Sequence, residues 1–253
     1  MSFARYPSLE SRSVFVSGGG SGIGASIVEH FAQQGSKVAF VDVDKKASRA
    51  LAAGIASKRQ PKPLFIPCDL HDIAALRKAI KKAAAAHGPI TALVNNAARD
   101  DRHRIEDVTP EYWDERIQVN IRHQFFAAQA VAPGMRKAGG GSIINMGSSS
   151  WMNFTPELTV YMTAKSGVIG QTRGLARDLG ADRIRVNTVV PGWIMTDRQV
   201  KLWLTPEAEA DLMKAQCLKE KLHPPDIARM VLWLAADDSR LVTGQDFIVN
   251  GGR

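Results

Sequence analysis

The chain has 253 residues, 33 Lys and Arg against 25 Asp and Glu for a formal charge of +8, and is 45% hydrophobic and 23% charged. That balance excludes disordered, collagenous and coiled-coil chains, and a chain this long buries about 70–75% of its unfolded surface without disulfide or metal staples. The basic excess raises nucleic acid as a partner, but Lys45-Lys46 and Lys81-Lys82 fall on polar helical faces and the densest cluster, 99–104, is interleaved with acids, so attraction of an anionic cofactor or plain solubility is expected instead.

Apolar β-branched runs alternate with helical patterns along the chain. Strands are predicted at 14–17, 37–41, 64–67, around Leu93-Val94, and at 142–146, 184–190 and 245–250. Helices are predicted at 22–34, closed by Gly35, and at 45–58, 73–87, 110–138, 157–179, 205–216 and 225–236. Pro133 predicts a bend in the long 110–138 stretch. Seven strands alternating with helices, with no repeat or linker, read as one α/β domain over 1–253: a doubly wound Rossmann-type sheet, mainly parallel, with helices on both faces. Ligands are expected at the carboxyl ends of its strands.

No apolar run approaches the roughly 20 residues of a membrane helix. The longest in the last third is 230–236, and 14–16 is too short for a signal peptide core. Two cysteines, Cys68 and Cys217, make no disulfide framework, and no cluster has metal-ligand spacing. A cytoplasmic location without metal is expected.

Ser17-Gly18-Gly19-Gly20-Ser21-Gly22-Ile23-Gly24 lies between the first strand and the first helix. Glycines let backbone approach a pyrophosphate, and the helix N-terminus supplies N–H groups and positive potential. Asp42 ends the second strand 18 residues beyond Gly24. A carboxylate there accepts from both ribose hydroxyls and repels a 2′-phosphate, and Val43 follows rather than an arginine, so NAD is expected over NADP. Asp69-Leu70, after the third strand, fits an adenine contact or the N-cap of the next helix.

Tyr161 and Lys165 are four apart on a predicted helix, and so share a face. A cation beside a phenol favours the phenolate, which makes Tyr161 a candidate general base. Ser148 ends the fifth strand 13 residues before Tyr161. Asn95-Asn96-Ala97 ends the fourth strand, Asn120 lies in the long helix, and Pro191-Gly192 and Thr196 follow the sixth strand.

With these motifs together the chain resembles the short-chain dehydrogenase/reductase family over essentially its whole length. The resemblance implies a catalytic set of Asn120, Ser148, Tyr161 and Lys165. Tyr161 would be the acid/base, and Lys165 would bind the nicotinamide ribose and lower the tyrosine pKa. Ser148 would bind the reacting oxygen, and Asn120 would hold a water linking Lys165 to solvent. The cofactor would contact Ser17, Gly18, Ser21, Gly22, Ile23, Gly24, Asp42, Asp69, Leu70, Asn96, Ala97, Tyr161, Lys165, Pro191, Gly192, Ile194 and Thr196. Ser17 stands where the family usually has Thr, and Ala98 where the Asn-Asn-Ala-Gly motif ends in Gly.

Less general segments, among them 100–103, 112–117, 130–135 and 215–219, resemble the bacterial NAD-dependent D-xylose 1-dehydrogenases of this family. The implied reaction is oxidation of an aldose at C1 to the aldonolactone. Segment 152–160 and Arg99 depart from that pattern, so L-arabinose, D-galactose and L-fucose stay open beside D-xylose. Ser148, Trp151, Asn153, Glu157 and Trp193 are the substrate candidates, with loop packing the other reading for the last three and a packed wall for Trp151. Alternatives are a dehydrogenase of another secondary alcohol (a cyclic diol, polyol or steroid) and a non-catalytic dinucleotide-binding protein. The family implies a homotetramer. Residues 190–222 read as the substrate-loop region, with 200–222 either a mobile lid or rigidly packed.

Overall fold

The structure, a computed structural model, describes residues 3–253. Strand β1 (Ser13–Ser17) is buried along its whole length, so both of its faces must meet an apolar layer. Val14 and Val16 join one core cluster and Phe15 the other, as the two-residue period of a strand requires. The same alternation runs through β2 (Lys37–Asp42), β4 (Ala92–Asn95) and β5 (Gly141–Met146). With β3 (Leu64–Pro67), β6 (Ile184–Pro191) and β7 (Asp246–Val249) they form one sheet in the order β3-β2-β1-β4-β5-β6-β7. Every pairing is parallel.

Parallel crossovers place helices on both faces. Helices α1 (Gly22–Gln33), α2 (Lys45–Ser57) and α9 (Pro224–Ala235) cover one face, through Ile27, Phe31, Ile55, Ile227 and Val231. Helices α3 (Ile73–His87), α5 (His123–Lys137) and α6 (Thr159–Leu179) cover the other, through Leu76, Val131 and Leu175. Each fully buried side chain of this kind contributes about 1.5–3 kcal/mol. Gly35, at φ +83°, closes α1 as expected: its N–H donates to the Ala32 carbonyl and that of Ser36 to Phe31, the Schellman pattern. Asp44 and Asp72 cap α2 and α3.

Three elements differ from expectation. The 110–138 stretch does not bend at Pro133, which lies inside α5. It breaks instead into α4 (Pro110–Ile117) and α5 around a π-turn at Gln118–Arg122. Side-chain amides supply the helix bonds there: Asn120 Nδ2 donates to the Arg116 carbonyl and Gln124 Nε2 to that of Asn120. Helix α6 begins at Thr159, because Glu157 is left-handed at φ +59° and cannot enter a helix. A further helix, α7 (Asp197–Trp203), precedes α8 (Pro206–Ala215). It buries no residue, so it leaves no apolar period to read.

Candidate active site

Strands β1 and β4 lie side by side, and the sheet runs outward from them in both directions. That is the switch point where open α/β sheets hold ligands. A cleft of about 630 Å³ opens there. It gathers the predicted site residues except five: Ser17, Gly22, Asn120, Trp151 and Glu157.

The glycine loop forms one end. Gly18 is left-handed at φ +65°, and its N–H donates to the Val41 carbonyl at 2.8 Å. A Cβ on Gly24 would lie 1.8 Å from the Gly18 carbonyl oxygen, so only glycine lets α1 start this close to the turn. Ser21 leaves the N-terminus of α1 without a side-chain cap, and first-turn N–H groups have no intrahelical partner. This is a cradle for a pyrophosphate. Asp42 Oδ2 accepts from Gly20 N–H at 2.8 Å and Oδ1 from Asp44 N–H at 2.9 Å. These bonds aim the carboxylate and leave lone pairs free, since two oxygens offer about four acceptor sites. Asp69 is held by the backbone N–H and ring of His71, which keeps its carboxyl below the ordinary range against burial. Asp72 takes the N-cap that Asp69 could have been.

Ser17 is fully buried beneath the cleft floor and does not reach the cavity. Its Oγ accepts from the N–H groups of Asn96 and Ala97 at 3.0 and 3.2 Å. Asn96 Nδ2 donates back to the Ser17 and Gly18 carbonyls. Ser17 thus positions cleft residues Asn96 and Ala97. Gly22 opens α1, and a Cβ there would meet the Thr196 methyl at 3.1 Å, which closes the loop against the segment after β6. Thr196 caps α7, and Ile194 pairs with Leu222 as an isolated bridge, pinning both ends of the 194–222 excursion.

Helix α6 and the end of β5 bring Tyr161, Lys165 and Ser148 to the opposite end of the cleft. Lys165 is buried, its Nζ donating to the Met146 carbonyl at 2.8 Å. Its ammonium lies 5.7 Å from the centroid of the Tyr161 ring. Burial pushes Lys165 down to about 7, with Asp100 opposing. The phenol departs from expectation: burial, then the Asp100 charge, hold Tyr161 well above its usual range, while Ser148 and Arg102 pull the other way. The physical reason is burial, which disfavours the charged phenolate, with the like charge of Asp100 adding to it.

Asn120 lies outside the cleft lining. Its side chain is spent on structure: Oδ1 accepts from Arg99 N–H, and Nδ2 donates to the Arg99 and Arg116 carbonyls. It clips the loop after β4 to the π-turn and has no donor left for a relay water. His123, one turn on, is fully buried, donates Nε2–H to the Ala97 carbonyl, and is pushed down to about 3 by burial and by Lys165. Of the substrate candidates, Ser148, Asn153 and Trp193 line the cleft. Trp151 is half-buried outside it. Glu157 is exposed, and its carbonyl is taken by His103 N–H. Asp100, Arg102 and Gln199, not among the site candidates named from the sequence, also line the cleft. The acids and arginines at 99–104 were the visible signal, but they bore there on net charge and, at 100–103, on the family resemblance.

The family profile described as enoyl-(acyl carrier protein) reductase matches residues 18–253. A Sinorhizobium fredii protein described as a short-chain type dehydrogenase/reductase is 34% identical over 248 residues, 96% of this chain and 98% of that one. The chain belongs to the short-chain dehydrogenase/reductase family. Within it, a Caulobacter vibrioides "D-xylose 1-dehydrogenase" is 51% identical over 252 residues, spanning 100% of this chain and 99% of the relative. A Rhizobium meliloti protein described as "Probable galactose dehydrogenase GalD" is 49% identical, spanning 98% and 97%. Among solved structures of this short-chain fold, a blue fluorescent protein from a metagenomic library in complex with NADPH superposes with a TM-score of 0.88 at 36% identity, covering 97% of this chain and 98% of that one.

Proposed function

We propose that the protein is an NAD-dependent aldose 1-dehydrogenase that oxidises a free sugar at C1 to the aldonolactone. The observation that carries the reading is full-length identity of 51% and 49% to two relatives described as sugar dehydrogenases, in a chain whose cleft holds Ser148, Tyr161 and Lys165 together. Because the two relatives act on different sugars by name, the reading is of the class and not of one aldose.

The glycine cradle, uncapped α1 and Asp42 fit a dinucleotide, and Asp42 would take the adenosine ribose hydroxyls. A carboxylate at that place repels a 2′-phosphate, which favours NAD. When bound, the nicotinamide supplies a hydride acceptor. The chain supplies the rest. Ser148 Oγ donates to the reacting oxygen. Tyr161 takes the proton of the C1 hydroxyl as the hydride leaves carbon, so its phenol must first lose its own proton. Lys165 holds the nicotinamide ribose and its charge favours that loss. Pro191, Gly192, Ile194 and Thr196 border the nicotinamide end, and Gly18, Ile23, Asp69, Leu70, Asn96 and Ala97 the adenosine and phosphate end. Asn153 and Trp193 border the sugar.

A homotetramer fits the exposed Phe125 on α5 and Ile248 on β7, and a monomeric mass in solution would refute it. Among the described residues no helix is long and apolar enough to cross a membrane, and a cytoplasmic location belongs to this proposal. The decisive experiment is initial-rate NADH formation from NAD across D-xylose, L-arabinose, D-galactose, D-glucose and L-fucose, with NADP in parallel and xylitol and a cyclic diol as outsiders. Turnover of an aldose with a lactone product supports the reading; silence on every aldose, with NADH still bound, overturns it.

A further inference from the structure

Strand β5, which ends at Met146 two residues before Ser148, lies between β4 and β6. The loops that follow those two neighbours therefore meet over the catalytic end of the cleft. They meet through side chains. Trp193 Nε1–H donates to Gln199 Oε1 at 2.8 Å, and Gln199 Nε2–H donates to Asp100 Oδ2 at 2.6 Å. The indole is a donor only, so it fixes which way the Gln199 amide points and leaves the NH₂ no choice but the carboxylate.

Asp100 is unlike the other acids nearby. Three carboxylates line the cleft among the described residues: Asp42, Asp69 and Asp100. The first ends β2 and the second follows β3, on the far side of β1 from β5. Asp101, next in sequence, points its oxygens into a cage of Arg99, Arg116 and Arg198 at 3.0, 2.6 and 2.7 Å. Asp100 has no such cage. Its closest cation is Arg198, with Nε 3.5 Å from Oδ1, beyond a good hydrogen bond. One of its roughly four acceptor sites is used by Gln199, and its side chain keeps 24% of its exposure. It lines the same cleft as Ser148, Tyr161 and Lys165.

A positioned anion with open lone pairs, in a cleft beside an indole, suits a neutral ligand rich in hydroxyl donors. From this geometry we infer that Asp100 is a sugar-binding residue that accepts a substrate hydroxyl away from C1, with Gln199 and Trp193 as the positioning residues that aim it. The inference rests on the aldose reading above. Ionised acceptors make the stronger hydrogen bonds to hydroxyls, so this contact would discriminate among aldoses more than it drives chemistry.

The test uses Asp100→Asn, Asp100→Ala and Gln199→Leu in the full chain, against the preferred aldose and its monodeoxy analogues. NADH binding by fluorescence titration reports folding and an intact cofactor end, and should be unchanged in all three. Asp100→Ala is expected to raise the aldose KM about 10- to 100-fold, with a smaller change in kcat. Asp100→Asn and Gln199→Leu should raise it less. One monodeoxy analogue should be penalised in the wild type and not further penalised in Asp100→Ala, because the hydroxyl it lacks is the one Asp100 holds. Wild-type inactivity on every aldose would overturn the aldose reading and this inference with it. Wild-type turnover with an unchanged KM in Asp100→Ala, or equal penalties for all deoxy analogues in both proteins, would overturn this inference alone.

Discussion

Lys165 Nζ donates to the Met146 carbonyl at 2.8 Å, so the buried ammonium is anchored to the end of β5 and held 5.7 Å from the Tyr161 ring. The anchor fixes the lysine where a ribose would arrive and keeps it out of water. Its cost is electrostatic: both the ammonium and the phenolate are disfavoured by the same burial. On the proposed reading, the same burial disfavours the base form of Tyr161.

The rate should follow. With Tyr161 as the proposed base, oxidation would require the ionised phenol, whose pKa is raised, so kcat/KM for the aldose should rise with pH through the alkaline range, while reduction of the lactone, which would use the neutral phenol as acid, should fall over it. Tyr161→Phe should bind NADH normally and lose about 10²- to 10⁴-fold in turnover. Stopped-flow and titration separate the two; retained turnover would remove Tyr161 from the base role.

Stability should depend on pH through Lys165. Its folded pKa is about 7 against an ordinary 10.5. Between those values the unfolded chain binds a proton that the folded chain does not, so stability rises with pH across that window. Lys165→Met removes the slope while abolishing activity. Thermal melts of the cofactor-free protein from pH 7 to 9.5 check this, and a variant that keeps the wild-type slope would assign it elsewhere. His123, pushed down to about 3 from 6.5, gives the same sign in acid: stability falls as pH drops below 6.5, and His123→Gln should blunt that fall.

Asp42 should set cofactor choice. Replacement by Ser removes the charge that would meet ribose hydroxyls and repel a 2′-phosphate. The NAD dissociation constant should rise about 10- to 100-fold, with NADP weakened less or strengthened. Equal weakening of both would mean that Asp42 only braces Gly20 and Asp44.

Asn120 should matter first for stability. Asn120→Ala strands the Arg99 N–H and the Arg99 and Arg116 carbonyls, at about 1–3 kcal/mol for a buried unsatisfied group. Urea unfolding should show a lower midpoint at an unchanged slope. A stable variant with lost turnover would restore the relay role.

Local periodicity made the strand–helix alternation readable, because a two-residue strand period and a 3.6-residue helix period are written in neighbouring residues. The third helix was predicted at its observed bounds, Ile73–His87. The glycine loop was legible for a similar reason: a turn this tight demands glycine in place. Tyr161 and Lys165 were legible because helical spacing alone puts them on one face.

What the sequence by itself determined was therefore everything set within about one turn or one strand: the elements, the cradle and the spacing of the catalytic pair. Tertiary structure decided what those groups face. The π-turn at Gln118–Arg122 depends on amides that also clip Arg99, 21 residues away. Glu157 left the site because its backbone turns left-handed and docks on His103. Asp100 entered it because Gln199, 99 residues later, reaches over the end of β5. The raised phenol of Tyr161 belongs to the same class, since burial and the field of Asp100 exist only once β4, β5 and α6 have packed. Distances of that kind come from chain crossings, and no window of neighbouring residues contains them.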